Sequence, residues 1–221
     1  MFKSVMYKEW IKTQWYIIAI GVIFIALHTY MFMKLGRSIR FAGMEHLWDV
    51  IINREQFVFR ELQYFPLLAG IVIGLAQFVP EIYQKRLKLA LHLPLPSFKI
   101  ISWNILYGLI LLISIFSLCM IILFLYMRMH FAYEFLESAF LTILPWYLAG
   151  LVAYLLVAWV CLEPKWDRRI INILVSCPLV YAFMQQSKPA AYGESVSLLL
   201  LIPIALISFV YISVIRFKEG K

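Results

Sequence analysis

Glu45, His46 and Asp49 are two carboxylates and an imidazole of the kind that hold a divalent metal when all three share one helix face. Glu45 and Asp49 do share a face at a spacing of i and i+4, but His46 is one position off it. The group is therefore expected to be solvated surface rather than a metal centre. Cys119, Cys161 and Cys177 lie far apart and form no C-x-x-C pair, so they are expected as small apolar packing residues. The chain has no G-x-x-x-x-G-K-[ST] loop, and its only Gly-Lys pair is Gly220–Lys221. H-E-x-x-H and G-x-S-x-G are also missing. Neither catalysis nor binding of a nucleotide, metal or other cofactor by this chain is expected.

The elements that carry these residues are dictated by composition. Of 221 residues, 64% are hydrophobic and 14% charged, with a mean hydropathy of +0.86. A soluble domain has roughly half apolar and about a quarter charged residues, so an integral membrane protein is expected. The apolar runs match bilayer-crossing helices, which need about 20 residues, and lack the alternation of barrel strands. The chain reads as one all-α transmembrane domain over 1–221. Six spans are expected at about 15–33, 64–79, 100–127, 139–162, 170–185 and 196–215, with a basic amphipathic segment over 1–14. The first run is longer than a signal-peptide core and no small-x-small cleavage site follows it, so it is expected as a retained span.

Six spans put both termini on one side. Thirteen Lys and Arg then fall on the side of the termini and seven on the other, which places both termini in the cytoplasm. With acids included the cytoplasmic segments carry +8 and the outer ones 0. Anionic lipid head groups account for that excess, and no nucleic-acid partner is implied. Within the spans the polar residues are few, chiefly His28, Gln77, Asn104 and Asn172, and none has an acid, Lys or Arg at its centre. An ion-driven transporter would hold charges near the bilayer midplane. His28, toward the outer end of span one, reads as a satisfied interfacial histidine. Gly70 and Gly74 make a G-x-x-x-G in span two, a helix-packing seam either within the chain or between two copies.

Between spans two and three, "VPEIYQKRLKLALHLPLPSFKI" alternates leucine with other residues as a strand would. A lone strand beside a membrane would leave its backbone groups unpaired, and Pro94 and Pro96 would interrupt it. At helical spacing Glu81, Gln84, Lys85, Lys88 and His92 fall on one arc, with Ile82, Leu87 and Leu91 on the rest. A short amphipathic helix is expected, opening at Pro80 and closed by Pro94.

That stretch, the opening "MYKEWIKTQWYIIAIG" and the six-span polarity together resemble the membrane subunit of an ABC-2 type transporter, the permease class of many bacterial export systems. The resemblance covers nearly the whole chain. It implies an inner-membrane exporter subunit that works as a dimer with itself or a related chain, beside two cytoplasmic ATPase subunits holding ATP and Mg. It also implies that the loop after span two is a coupling helix docked on an ATPase. Glu81, Gln84, Lys85, Lys88 and His92 would then contact the partner, and Ile82, Leu87 and Leu91 would anchor the helix to its own bundle. The weakly polar spans suit an amphipathic or hydrophobic cargo. The chain departs from the family in two places. Only "QSKPAAYGE" joins spans five and six, where many members fold a re-entrant hairpin, and the outer segment 34–63 is long and partly helical in pattern. A non-transporting membrane scaffold or immunity protein is the alternative from another class.

Overall fold

The structure is a computed structural model that describes residues 2–48, 59–84, 97–186, 188–193 and 195–219. These residues are all-helical, without strands among those described. The helices are α1 (Phe2–Trp48), α2 (Phe65–Tyr83), α3 (Ser97–His130), α4 (Tyr133–Leu162), α5 (Trp166–Met184) and α6 (Val196–Glu219), with a single 3₁₀ turn at Arg60–Leu62 before α2. Five of them, all but α5, are long and apolar enough to cross a membrane. The chain is a multi-pass membrane protein. The apolar part of α5 begins only after Asp167, Arg168 and Arg169, and from Ile170 to Met184 it covers roughly 22 Å. That is short of a hydrocarbon core of about 30 Å.

The first helix departs from expectation. No break separates residues 2–14 from the first span, because α1 is uninterrupted from Phe2 to Ala42; a kink at Gly43, φ 79°, then sets off its last turn. The basic opening therefore continues the helix of the span instead of forming a separate segment. At 1.5 Å per residue the stretch from Phe2 to Ala42 is about 60 Å long, about twice the core thickness. The beginning of the expected outer segment 34–63 is the far end of this helix.

The second departure is at Pro80. Instead of opening a new helix, Pro80 lies inside α2, which continues to Tyr83. Glu81 and Ile82 thus ride on span two. Proline has no N–H to give to Ala76, and the last turn tolerates this because Gln84 N–H closes on the Pro80 carbonyl at 3.1 Å.

Helix α4 is the axle of the bundle. Its apolar stretch is 72% buried inside the chain, against 22% for α1 and for α6. It packs on α2, α3, α5 and α6, and its contact with α2 is the most extensive in the molecule. The outward faces of the peripheral helices present large apolar side chains, such as Ile25 on α1, Leu118 on α3 and Ile204 on α6. Water would penalise that surface and lipid does not.

Glycine makes the α2–α4 contact possible. A Cβ built on Gly70 would stand 1.9 Å from the Gly150 carbonyl oxygen, and one on Gly150 would stand 2.4 Å from that of Pro66. One turn on, a Cβ on Gly74 would meet Val157 at 2.9 Å. Gly70 and Gly74 therefore face α4 of the same chain. Gly70→Ala should destabilise the protein by about 1–3 kcal/mol, because backbone has to move to admit the methyl. Gly21→Ala meets nothing within 4 Å and should be neutral or stabilising by up to about 1 kcal/mol through helix propensity. Thermal unfolding of both variants in detergent by circular dichroism checks the contrast, and equal effects would refute the seam.

Candidate functional site

The polar residues of the bundle gather at one end. Glu9 and Lys8 of α1 lie a turn before Lys12 and Thr13, and this face turns onto the last turn of α2. Lys12 Nζ lies 2.8 Å from Glu81 Oε1 and 2.7 Å from Glu9 Oε2. It also donates at 3.4 Å to the carbonyl of Gln77. Lys8 Nζ reaches the same Glu81 oxygen at 2.7 Å. Glu9 and Glu81 are 0% and 1% exposed. Two carboxylates thus face two ammonium groups, and the cluster is neutral as a set. Burying it carries a desolvation cost that only complete pairing offsets, and the second Glu81 oxygen, Oε2, is buried without a hydrogen-bond partner.

A second layer continues the site towards the middle of the bundle. The Thr13 hydroxyl gives its proton to the Glu9 carbonyl at 2.9 Å. Its 2.7 Å contact with Tyr107 of α3 is consequently one in which the tyrosine donates. Deeper still, the Tyr154 hydroxyl of α4 donates to Gln77 Oε1 at 2.8 Å, and Gln77 Nε2 donates to the Asn104 carbonyl at 2.7 Å. Gly108 leaves room for the Tyr154 ring, since a Cβ there would stand 2.2 Å from its hydroxyl. Four helices, α1 to α4, are joined by these bonds.

Farther along α4, a separate carboxylate closes the same end. Glu163 is fully buried and accepts from Ser213 of α6 at 2.6 Å, with Arg168 and Arg216 each 3.7 Å away. Arg169 donates through Nε to the Glu163 carbonyl at 2.6 Å and through a terminal nitrogen to that of Cys161 at 3.5 Å. It thereby satisfies carbonyls that the end of α4 leaves open.

Of the expected partner-contact residues, Glu81 is not on an open face: it is sealed against α1 by Lys8 and Lys12. Gln84, just past the same end of α2, is exposed, and Ile82 is half-buried against the apolar core. Lys85, Leu87, Lys88, Leu91 and His92, and with them the expected short helix, lie outside the described residues, as does Asp49 of the weighed metal group. Among the described residues no cluster of three His, Cys, Asp or Glu could hold a metal. The three cysteines are free, and Cys177 is exposed rather than packed inside. His28 is buried instead of interfacial, with Nδ1 on the Phe24 carbonyl and Nε2 without a partner.

At the opposite end the contacts are lighter. Lys34 pairs with Glu61, and the Tyr126 ring stacks on Phe32 at 4.0 Å. The link between α5 and α6 is fastened to α4 at Thr142, whose hydroxyl accepts from Ala190 N–H at 2.8 Å and whose carbonyl accepts from Gln186 at 3.0 Å. No helix lies in this link among its described residues.

Comparison with protein-family models, with curated proteins and with solved structures gives no match to this chain. The site's chemistry is that of a fastening. The charges of Lys8, Glu9, Lys12 and Glu81 cancel pairwise.

Glu81→Gln should destabilise the protein by about 3 kcal/mol, because it leaves buried cations short of a counter-charge. Adding Lys12→Met should recover part of that loss, so that the pair costs less than the sum of the single changes. Denaturation midpoints of the three variants in detergent decide the matter, and strict additivity would mean that the two groups do not interact.

Proposed function

We propose that this chain is the permease subunit of an ATP-binding-cassette exporter in a bacterial cytoplasmic membrane, moving an amphipathic or hydrophobic substrate outward. In this reading α5 is a sixth crossing, both termini are cytoplasmic, and two permease chains enclose the translocation path. A separate cytoplasmic ATPase supplies ATP and Mg. Gln84, Lys85, Lys88 and His92 contact that ATPase, while Ile82, Leu87 and Leu91 hold the contacting segment to the bundle.

One observation carries the reading. The ion cluster of Lys8, Glu9, Lys12 and Glu81 stands on the last turn of α2, immediately before the basic segment 85–96. A displacement delivered to that segment by a closing ATPase would reach α2 through the backbone and α1 through two lysines. Gln77 and Tyr154 would carry it on to α4. Glu81 is then an internal fastening rather than a docking contact. The buried charges have a use in this scheme, because a polar joint fixes one register where an apolar one slides.

The test is purification of the tagged full-length chain from its own membrane in mild detergent, with mass spectrometry and an ATPase assay. A P-loop ATPase should co-purify with the wild type, and Lys85→Glu/Lys88→Glu should lose it or uncouple its hydrolysis from transport. If no ATPase accompanies the wild type while other membrane complexes survive the same extraction, the exporter reading fails and a scaffold that binds through its basic face takes its place.

A further inference from the structure

A cleft of about 640 Å³ runs between α2, α4 and α5, within the roughly 300–1,000 Å³ usual for ligand clefts. Its floor is the α2–α4 seam, with Leu75 and Val157 among the lining residues, and Ile173, Cys177 and Tyr181 of α5 form one side. The lining is mostly apolar, with Tyr64, Ser176, Tyr181 and Gln185 supplying its polar groups. Along α5 the cleft extends from Ile173 to Gln185, about 18 Å at 1.5 Å per residue. One leaflet contributes about 15 Å of the hydrocarbon core, so the cleft has the length of one acyl chain.

The end of the cleft nearest the Glu163 cluster is cationic. Arg169 lies one turn before Ile173 and donates to the carbonyl of Cys161, itself a lining residue. Its guanidinium stands 5.2 Å from the centre of the Trp166 ring, and Trp166 is 73% exposed. Both acceptors named for Arg169, the carbonyls of Glu163 and Cys161, are neutral, so they leave its charge in place. Around it Lys165, Arg168 and Arg216 outnumber Glu163 and Asp167. A planar guanidinium suits two phosphate oxygens at once, and an exposed tryptophan beside it is the usual neighbour of a head group.

We infer that this cleft is a specific site for an anionic phospholipid, with one acyl chain lying between α2, α4 and α5 and the phosphate held at Arg169. The inference rests only on the membrane-spanning character of the chain, and it stands or falls apart from the exporter reading. A zwitterionic lipid fits the apolar slot equally well but adds a cation to a cationic mouth. The head-group charge therefore sets the preference, by roughly fivefold for each basic residue engaged.

Reconstitution of the full chain into phosphatidylcholine vesicles tests this, with a small fraction of brominated phosphatidylglycerol or brominated phosphatidylcholine as quencher. The readout is the fluorescence lost between the wild type and Trp166→Phe, which isolates the tryptophan at the mouth. Brominated phosphatidylglycerol should quench that signal at roughly a fivefold lower fraction than brominated phosphatidylcholine. Arg169→Gln should abolish the difference and Arg169→Lys should keep it, with circular dichroism confirming the fold of each. Ser176→Phe, which fills the slot from α5 without touching the cations, should abolish it too. Equal quenching by the two lipids in the wild type overturns the site. So does a preference that survives Ser176→Phe, since binding would then be at the surface charge alone. Efficient Cys177–Cys177 cross-linking in the membrane would also overturn it, by showing that a second copy covers the cleft.

Discussion

The approach of Gly70 to Gly150 is the constraint on which the bundle depends. In hydrocarbon two apolar helices gain little by leaving lipid for one another, so association has to come from close packing and from polar bonds. Without a Cβ at either position, the backbones of α2 and α4 meet directly, and every other helix takes its place against this pair. Helix α4 can be the most enclosed element because its partners reach it through small residues: Gly70 and Gly74 from α2 and Gly108 from α3. The large residues it does carry, Trp146, Tyr147 and Tyr154, fill the space on its remaining sides.

Polar bonds supply what close packing lacks, which is direction. The Tyr154–Gln77–Asn104 chain lies inside the bundle and cannot be exchanged for water without breaking it. It sets the rotation of α2 and α3 about α4. The ion cluster does the same for α1, a helix otherwise largely turned towards lipid. The two ends of the molecule differ in this respect. One is held by buried carboxylates, and the other by a surface ion pair, an aromatic stack and the bonds of Thr142. Exposed pairs contribute little and buried ones much once formed, so among the described residues the first end is the more firmly held.

Composition made the membrane class plain, and five crossing helices match it. The spans expected at 64–79, 100–127, 139–162 and 196–215 correspond to α2, α3, α4 and α6. What could not be read was partnership. Glu9 lies in the segment expected as basic and amphipathic, yet it is a buried group whose partners are Lys12 three residues on and, through Lys8 and Lys12, a residue 72 positions away. Glu81 carried the signature of an exposed helix face because the residues after it are basic and evenly spaced. Its own burial is decided by α1, which no local pattern reports. The extent of α1 was hidden for a related reason. Helical periodicity does not mark where a helix leaves the bilayer, and nothing between Phe2 and Trp48 except Gly43 interrupts it. Serine, threonine and tyrosine side chains within spans were visible as a scatter, and only the fold shows that Thr13 faces Tyr107.

Helix α1 has one more implication, and it is geometric. The part of α1 from Phe2 to Ala42, about 60 Å long, clamped at Lys8 and Lys12 and embedded for about half its length, is a lever with its fulcrum in the bilayer. A tilt of about 5° around a point midway between Lys12 and Lys34, about 16 Å from each, would swing both by roughly 1.5 Å, the rise of one helical residue. Motion at the Glu81 clamp would therefore be reversed in sense and delivered, undiminished, beside Lys34 and Glu61. The molecule has a mechanical connection between its two faces that passes through no cavity and needs no rearrangement of its core.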